Sequence, residues 1–100
     1  MRKRKMSYKD YGIDESELRY IKDFCRNANE DEKIIIKNAL PELQPYISPY
    51  VYCSLVDNVS YDIMSAKNYI YIGKGDFYGH RRQGMAAIKR WMIIYGIWEI

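Results

Sequence analysis

Pro41, Pro45 and Pro49 are the only prolines in this chain of 100 residues. A proline inside a helix removes a backbone hydrogen bond and clashes with the preceding turn, at a cost of roughly 3 kcal/mol. No helix therefore runs through "PELQPYISP", which separates one stretch before Pro41 from another after Pro49. The length suits one domain with one hydrophobic core.

Both stretches read as helical. In "IDESELRYIKDFCRNAN", Asp14 is placed to cap a helix, and Glu17 three residues later completes a capping box. Leu18, Ile21, Phe24 and Cys25 follow at helical spacing. Asn29 is placed to cap "EDEKIIIKNAL", whose acidic first turn suits the positive end of a helix. The three consecutive isoleucines favour a strand locally, but the cap and the Ala39-Leu40 continuation favour helix. After the prolines, Ser48 as cap with Pro49 at the first helical position starts a third helix to about Val56, with Val51, Tyr52 and Leu55 inward. Asp57-Asn58 is a turn. Ser60 caps a short fourth helix, "YDIMSAKN", which buries Ile63, Met64 and Ala66.

"YIYIGKG" is open to two readings, a loop before a last helix or one arm of a hairpin turning at Gly73-Lys74-Gly75. From Asp76 onward Phe77, Arg81, Met85, Ile88, Trp91 and Tyr95 recur at helical spacing, and Gly96 ends the pattern. Gly79 and Gly84 each weaken that helix by roughly 1 kcal/mol relative to alanine. Their presence calls for close packing or for close approach to a ligand backbone. The expected fold is all-α: five helices over residues 13–100, a tail "IWEI" packed back on the core, and a flexible basic arm over residues 1–12.

Charge is uneven along the chain. Residues 1–9 carry five basic and no acidic side chains, residues 10–72 six basic and eleven acidic, and residues 73–100 five basic and two acidic. The net charge is only +3, but positive ends around an acidic middle fit a surface for a polyanion. Eleven tyrosines also suit interfaces, where the ring is buried and the hydroxyl stays wet. Homodimerisation and docking on another protein are both consistent with that composition.

Nothing points to catalysis. His80 is the only histidine, and Cys25 and Cys53 stand far apart in apolar patterns that read as buried hydrophobes. Neither CxxC nor HxxxH occurs, and "GKG" lacks the length and trailing residues of a phosphate-binding loop. No metal, cofactor or enzymatic activity is expected. No apolar run follows the basic Met1–Lys5, and none has the roughly 18 residues of a membrane span, so the interior of a bacterial cell, without membrane contact, is the expected location.

One order of parts is suggestive. A helix ending in Ser54-Leu55 is followed by the turn Val56-Asp57-Asn58-Val59, then Ser60-Tyr61 and the apolar pair Ile63-Met64. After a connector come adjacent aromatics and basic residues in a long helix. This resembles the helix-turn-helix half of phage transcription activators of the RinA/ArpU type, and more distantly the promoter-reading region 4 of sigma factors, over about residues 49–95. The resemblance implies a sequence-specific, DNA-binding transcriptional regulator of phage or mobile-element type. It also implies a recognition helix holding Phe77, Tyr78, His80, Arg81, Arg82, Met85 and Ala86.

A helix that enters the major groove needs short or polar side chains near its start, with cations flanking it for phosphates. On that ground the expected double-stranded DNA contacts are Lys74, Asp76, Tyr78, Gly79, His80, Arg81 and Arg82, with Arg2, Lys3, Arg4 and Lys5 of the arm on phosphates. The alternative is a small module that docks on and inhibits a host protein such as RNA polymerase or a CRISPR nuclease. Tyr46, Tyr50, Tyr52, Tyr69 and Tyr71 would then form its contact patch. A last helix standing clear of the core favours the first reading, and a buried hairpin removes it.

Overall fold

Reciprocal capping boxes start the first two helices. The Asp14 carboxylate accepts the Glu17 backbone N–H at 2.8 Å, and the Glu17 side chain accepts the Asp14 N–H at 3.1 Å. Asn29 and Glu32 repeat the exchange at 2.8 and 2.9 Å. Each pair satisfies N–H groups that a helix start otherwise leaves without partners.

The computed structural model describes residues 6–68 and 70–99. Five α-helices are present among them: α1 (Glu15–Arg26), α2 (Glu30–Ala39), α3 (Ser48–Val56), α4 (Tyr61–Lys67) and α5 (Lys74–Ile94). Short 3-10 turns occupy Lys9–Tyr11 and Leu40–Glu42. No strand occurs among the described residues, so over residues 70–73 the loop reading is the one found, with Gly73 as the N-cap of α5. The Cα radius of gyration is 12.9 Å, close to the ~13 Å of one compact domain of this length.

The third helix starts differently from expectation. Ser48 lies inside α3, and its N-cap is Ile47, which makes no side-chain cap. The backbone N–H groups of Ile47 and Ser48 already donate to the Gln44 carbonyl, at 2.9 and 3.1 Å. The Tyr50 and Val51 N–H groups, which a cap at Ser48 would have bound, donate instead to the Ile47 carbonyl at 3.0 and 3.1 Å. Ser60 does cap α4, accepting the Ile63 N–H at 3.3 Å.

α5 is the axis of the molecule. It touches the other four helices and both 3-10 turns, and it buries Phe77, Gly79, His80, Gly84, Met85, Ala86, Ala87, Ile88 and Met92. Gly84 lies where α5 crosses the prolyl segment. A Cβ there would stand 3.0 Å from Leu40 Cδ2 and 3.3 Å from both Leu43 Cδ1 and Val51 Cγ1. Its absence is what lets these elements approach.

The first and the last described segments pack onto this frame. The segment from Met6 to Gly12, expected as part of a flexible arm, folds into a turn closed by Gly12 at φ +73 and leads into the buried Ile13. Arg82 Nε donates to the Met6 carbonyl at 2.7 Å, with its guanidinium 5.9 Å from the Tyr8 ring. At the other end Gly96, also at φ +73, closes α5. The Gly96 N–H reaches the Ile93 carbonyl and the Ile97 N–H the Met92 carbonyl, both at 3.0 Å, the paired bonds of a Schellman turn. The tail then returns as expected: Trp98 meets the Tyr20 ring edge-on at 5.0 Å. No helix among the described residues is long and apolar enough to cross a membrane.

Candidate nucleic-acid interface

The expected recognition stripe from Lys74 to Arg82 does not lie on one surface. Gly79 and His80 are buried, His80 with 8 % of its surface exposed, so neither is presented to a groove. Gly79 serves the interior rather than the approach of a ligand backbone. Arg82 is half-buried against Met6 and Tyr8, on the side of the N-terminal turn. Asp76 is half-exposed, and Lys74 is exposed and paired with Asp62 of α4 at 2.8 Å. That carboxylate holds the Lys74 ammonium above the usual lysine value. Arg2, Lys3, Arg4 and Lys5 lie outside the described residues.

The physical reason is the contact map of α5. A lone amphipathic helix has one wet face, but this one is enclosed from several directions, and its first turns pack beneath α4. The Tyr61 ring lies 5.4 Å from Phe77, and the Tyr61 hydroxyl donates to the Ile72 carbonyl at 2.8 Å. The Tyr78 hydroxyl accepts the Tyr61 backbone N–H at 3.4 Å. Tyr78 therefore fixes the start of α4 instead of reaching outward.

α4 is the helix that stands clear. Met64 anchors it in the core and Tyr61 is half-buried, while Asp62, Ile63, Ser65, Ala66 and Lys67 are exposed. Ile63, expected inside, is 53 % exposed, and the expected burial of Ala66 is likewise not found. The connection from α3 is a four-residue turn, 57–60, in which Asn58 adopts the left-handed conformation at φ 56. A turn of three or four residues is what joins the two helices of a helix-turn-helix unit. The helix that follows a turn of this length and lies exposed is α4, whereas α5 is enclosed.

Beside that turn runs a basic face. Arg19, Lys22 and Arg26 fall on one side of α1 at spacings of three and four, with Asp23 as the one carboxylate among them. Arg26 Nη2 donates to Asn58 Oδ1 at 2.7 Å, tying this face to the turn. Arg81 joins from α5: its guanidinium lies 5.8 Å from the Tyr78 ring centroid, and its Nε is buried without a hydrogen-bond partner among the described residues. Burial first, then the fields of Arg81 and Arg26, push the Lys22 ammonium below its usual value. Ion pairs among the described residues include Lys33–Glu30, Lys74–Asp62, Lys89–Glu17 and Arg90–Glu42, and none of these uses Arg19, Lys22, Arg26 or Arg81.

Segment charge concealed this face. Arg19, Lys22 and Arg26 sit in the acidic middle of the sequence, where the sum over residues 10–72 hides a helical stripe. Their spacing was the signal available. Elsewhere Tyr46 and Tyr71 of the expected tyrosine patch are exposed and meet edge-on at 5.7 Å. Tyr50 and Tyr52 are half-buried, and Tyr69 lies outside the described residues. No group of three or more His, Cys, Asp or Glu side chains among the described residues could hold a metal ion. No family model matches the chain, and no curated protein or solved structure matches it significantly.

Proposed function

We propose that this chain binds double-stranded DNA as a transcriptional regulator of phage or mobile-element type, acting in the bacterial cytoplasm, with α4 as the element that enters the groove. The observation that carries the reading is the exposed α4 held after a short turn with a left-handed Asn58. The side chains offered outward suit base edges in kind. Ile63 supplies an apolar contact for a thymine methyl, and Asp62, Ser65 and Lys67 supply hydrogen-bonding groups. The basic face of α1 flanks them, as phosphate contacts flank base contacts. The resemblance to the phage activators supports DNA binding as such, while the recognition helix it implies, from Phe77 to Ala86, is the one enclosed in the core.

Selection from a randomised duplex pool tests it. A preferred sequence is expected. Ile63→Ala and Ser65→Ala are expected to cost about 1–3 kcal/mol on that sequence and little on scrambled duplexes. A pool that returns no preference removes α4 as a recognition helix.

Docking on a host protein is the second reading, favoured by Tyr46 and Tyr71, which are 48 % and 74 % exposed and stacked edge to face. Tyr71→Ala separates the two readings, because it leaves duplex affinity unchanged if DNA is the partner.

A further inference from the structure

Arg26 meets the α3–α4 turn at Asn58, Arg81 stands against Tyr78 at the start of α4, and Lys22, one turn before Arg26 on α1, lies in the field of both; none of the three is in an ion pair formed among the described residues. Like charges held close raise the free energy of the unbound protein, and an anion set among them lowers it. The arrangement is fixed by contacts: Arg26 by Asn58 at 2.7 Å, and Arg81 against Tyr78, which itself holds the first N–H of α4 at 3.4 Å. We propose that Lys22, Arg26 and Arg81 together seat a backbone phosphate of the duplex alongside α4, a proposal that rests on the DNA reading above.

Phosphate fits this set better than a carboxylate does. Two guanidinium forks match phosphate oxygens in pairs, and a duplex strand presents further phosphates to the neighbouring cations, which an isolated carboxylate does not. The site also continues along α1. Arg19 to Arg26 spans about 10 Å of helix, room for about three phosphates of one strand at about 3.4 Å of duplex axis each. In the free protein the Asn58 side chain occupies Arg26. DNA takes over that guanidinium, so Asn58 holds the cation in place until a phosphate replaces it.

The experiment follows fluorescence anisotropy of a short duplex of scrambled sequence between about 50 and 200 mM salt. Lys22→Gln combined with Arg26→Gln is expected to weaken all duplexes alike and to flatten the slope of log affinity against log salt by about 0.9 per cation removed. Because Lys22 is half-buried, Arg26→Gln alone, at an exposed position, is the second variant, with about half that change. Asn58→Gly keeps the left-handed turn and frees Arg26, and is expected to leave the slope at or above that of the parent. Intact duplex binding with an unaltered slope in both glutamine variants overturns the phosphate site and leaves the groove reading standing. If the parent binds no duplex at low salt, the DNA reading fails, and inorganic phosphate becomes the probe. A saturable shift of the Arg81 Nε–H resonance, lost in Arg26→Gln, then supports the anion site, and no shift overturns it. Tighter binding to phosphatidylglycerol vesicles than to duplex overturns the assignment to nucleic acid.

Discussion

Lys89 and Glu17 meet at 2.7 Å with only 21 % and 18 % of their side chains exposed. The same ammonium donates to the Gly12 carbonyl at 3.0 Å and lies 5.4 Å from the Trp98 ring. One side chain of α5 thereby joins the start of α1, the N-terminal turn and the C-terminal tail. Lys89→Met keeps the aliphatic stem and removes these polar contacts, and is expected to cost roughly 1.5–3 kcal/mol, read by chemical denaturation. Glu17 belongs to a capping box as well, so its loss would mix two effects, whereas Lys89→Met isolates one.

The same pair sets an acid dependence. Hydrogen bonds from Lys89 and then from the Asp14 N–H hold the Glu17 carboxyl below the usual glutamate value of 4.5. Asp14 is lowered as well, chiefly by the Glu17 backbone N–H. A carboxyl with a lower value in the folded state stabilises the fold fully above its unfolded value. That contribution fades as pH falls below about 4.5 toward the folded value. Melting temperature is therefore expected to stay level from pH 7 to 5 and then fall. The fall in Lys89→Met is expected to be shallower, and melts at a series of pH values compare the two. Parallel curves would show that Lys89 does not set the Glu17 titration.

Gly84→Ala opposes two local effects. The new methyl favours the helix by up to about 1 kcal/mol, but it would stand 3.0 Å from Leu40 Cδ2 and 3.3 Å from both Leu43 and Val51. Overpacking of this kind costs about 1–3 kcal/mol. With neighbours from three positions the packing effect is the larger, so net destabilisation is expected, and Gly84→Leu is expected to prevent folding. A stability at or above the parent in Gly84→Ala would mean that the prolyl segment yields freely.

Phe77→Ala and Trp91→Ala separate burial from surface contact. Phe77 is fully buried, and its truncation is expected to cost about 3–5 kcal/mol. Trp91 is half-exposed and donates through Nε1 to Glu42 at 3.0 Å, with Arg90 on the other Glu42 oxygen. Its truncation is expected to cost less, and equal losses in the two variants would contradict this placement. The periodicity of the helix marks both residues as inward, and only the packing tells them apart.

The thiols give a chemical readout of the same core. Burial pushes the Cys25 thiol up to about 12, and Cys53, half-buried, is raised by burial and then by Asp57. A thiol alkylating agent at pH 8 is expected to modify Cys53 slowly and Cys25 only on unfolding, since the thiolate is the reactive form. Mass spectrometry of peptides over time checks the order, and early modification of Cys25 would show that α1 opens readily.

What the sequence determined by itself is local. Asp14, Asn29 and Ser60 cap the helices they precede, the prolines keep α-helix out of the segment between α2 and α3, and Gly96 ends α5. Each of these depends on a few consecutive residues whose hydrogen bonds close among themselves. What only the tertiary structure decided is which faces are wet. Gly79, His80, Ala86 and Ala87 carry no strong signal of burial, yet they lie inside because neighbours approach α5 from several elements at once. Ile63 carries that signal and lies outside because α4 is anchored by Met64 alone among its buried residues. Arg81 reaches the basic side of α1 only because α1 and α5 pack together. Periodicity defines a stripe on one helix, whereas burial depends on how many other helices come to meet it.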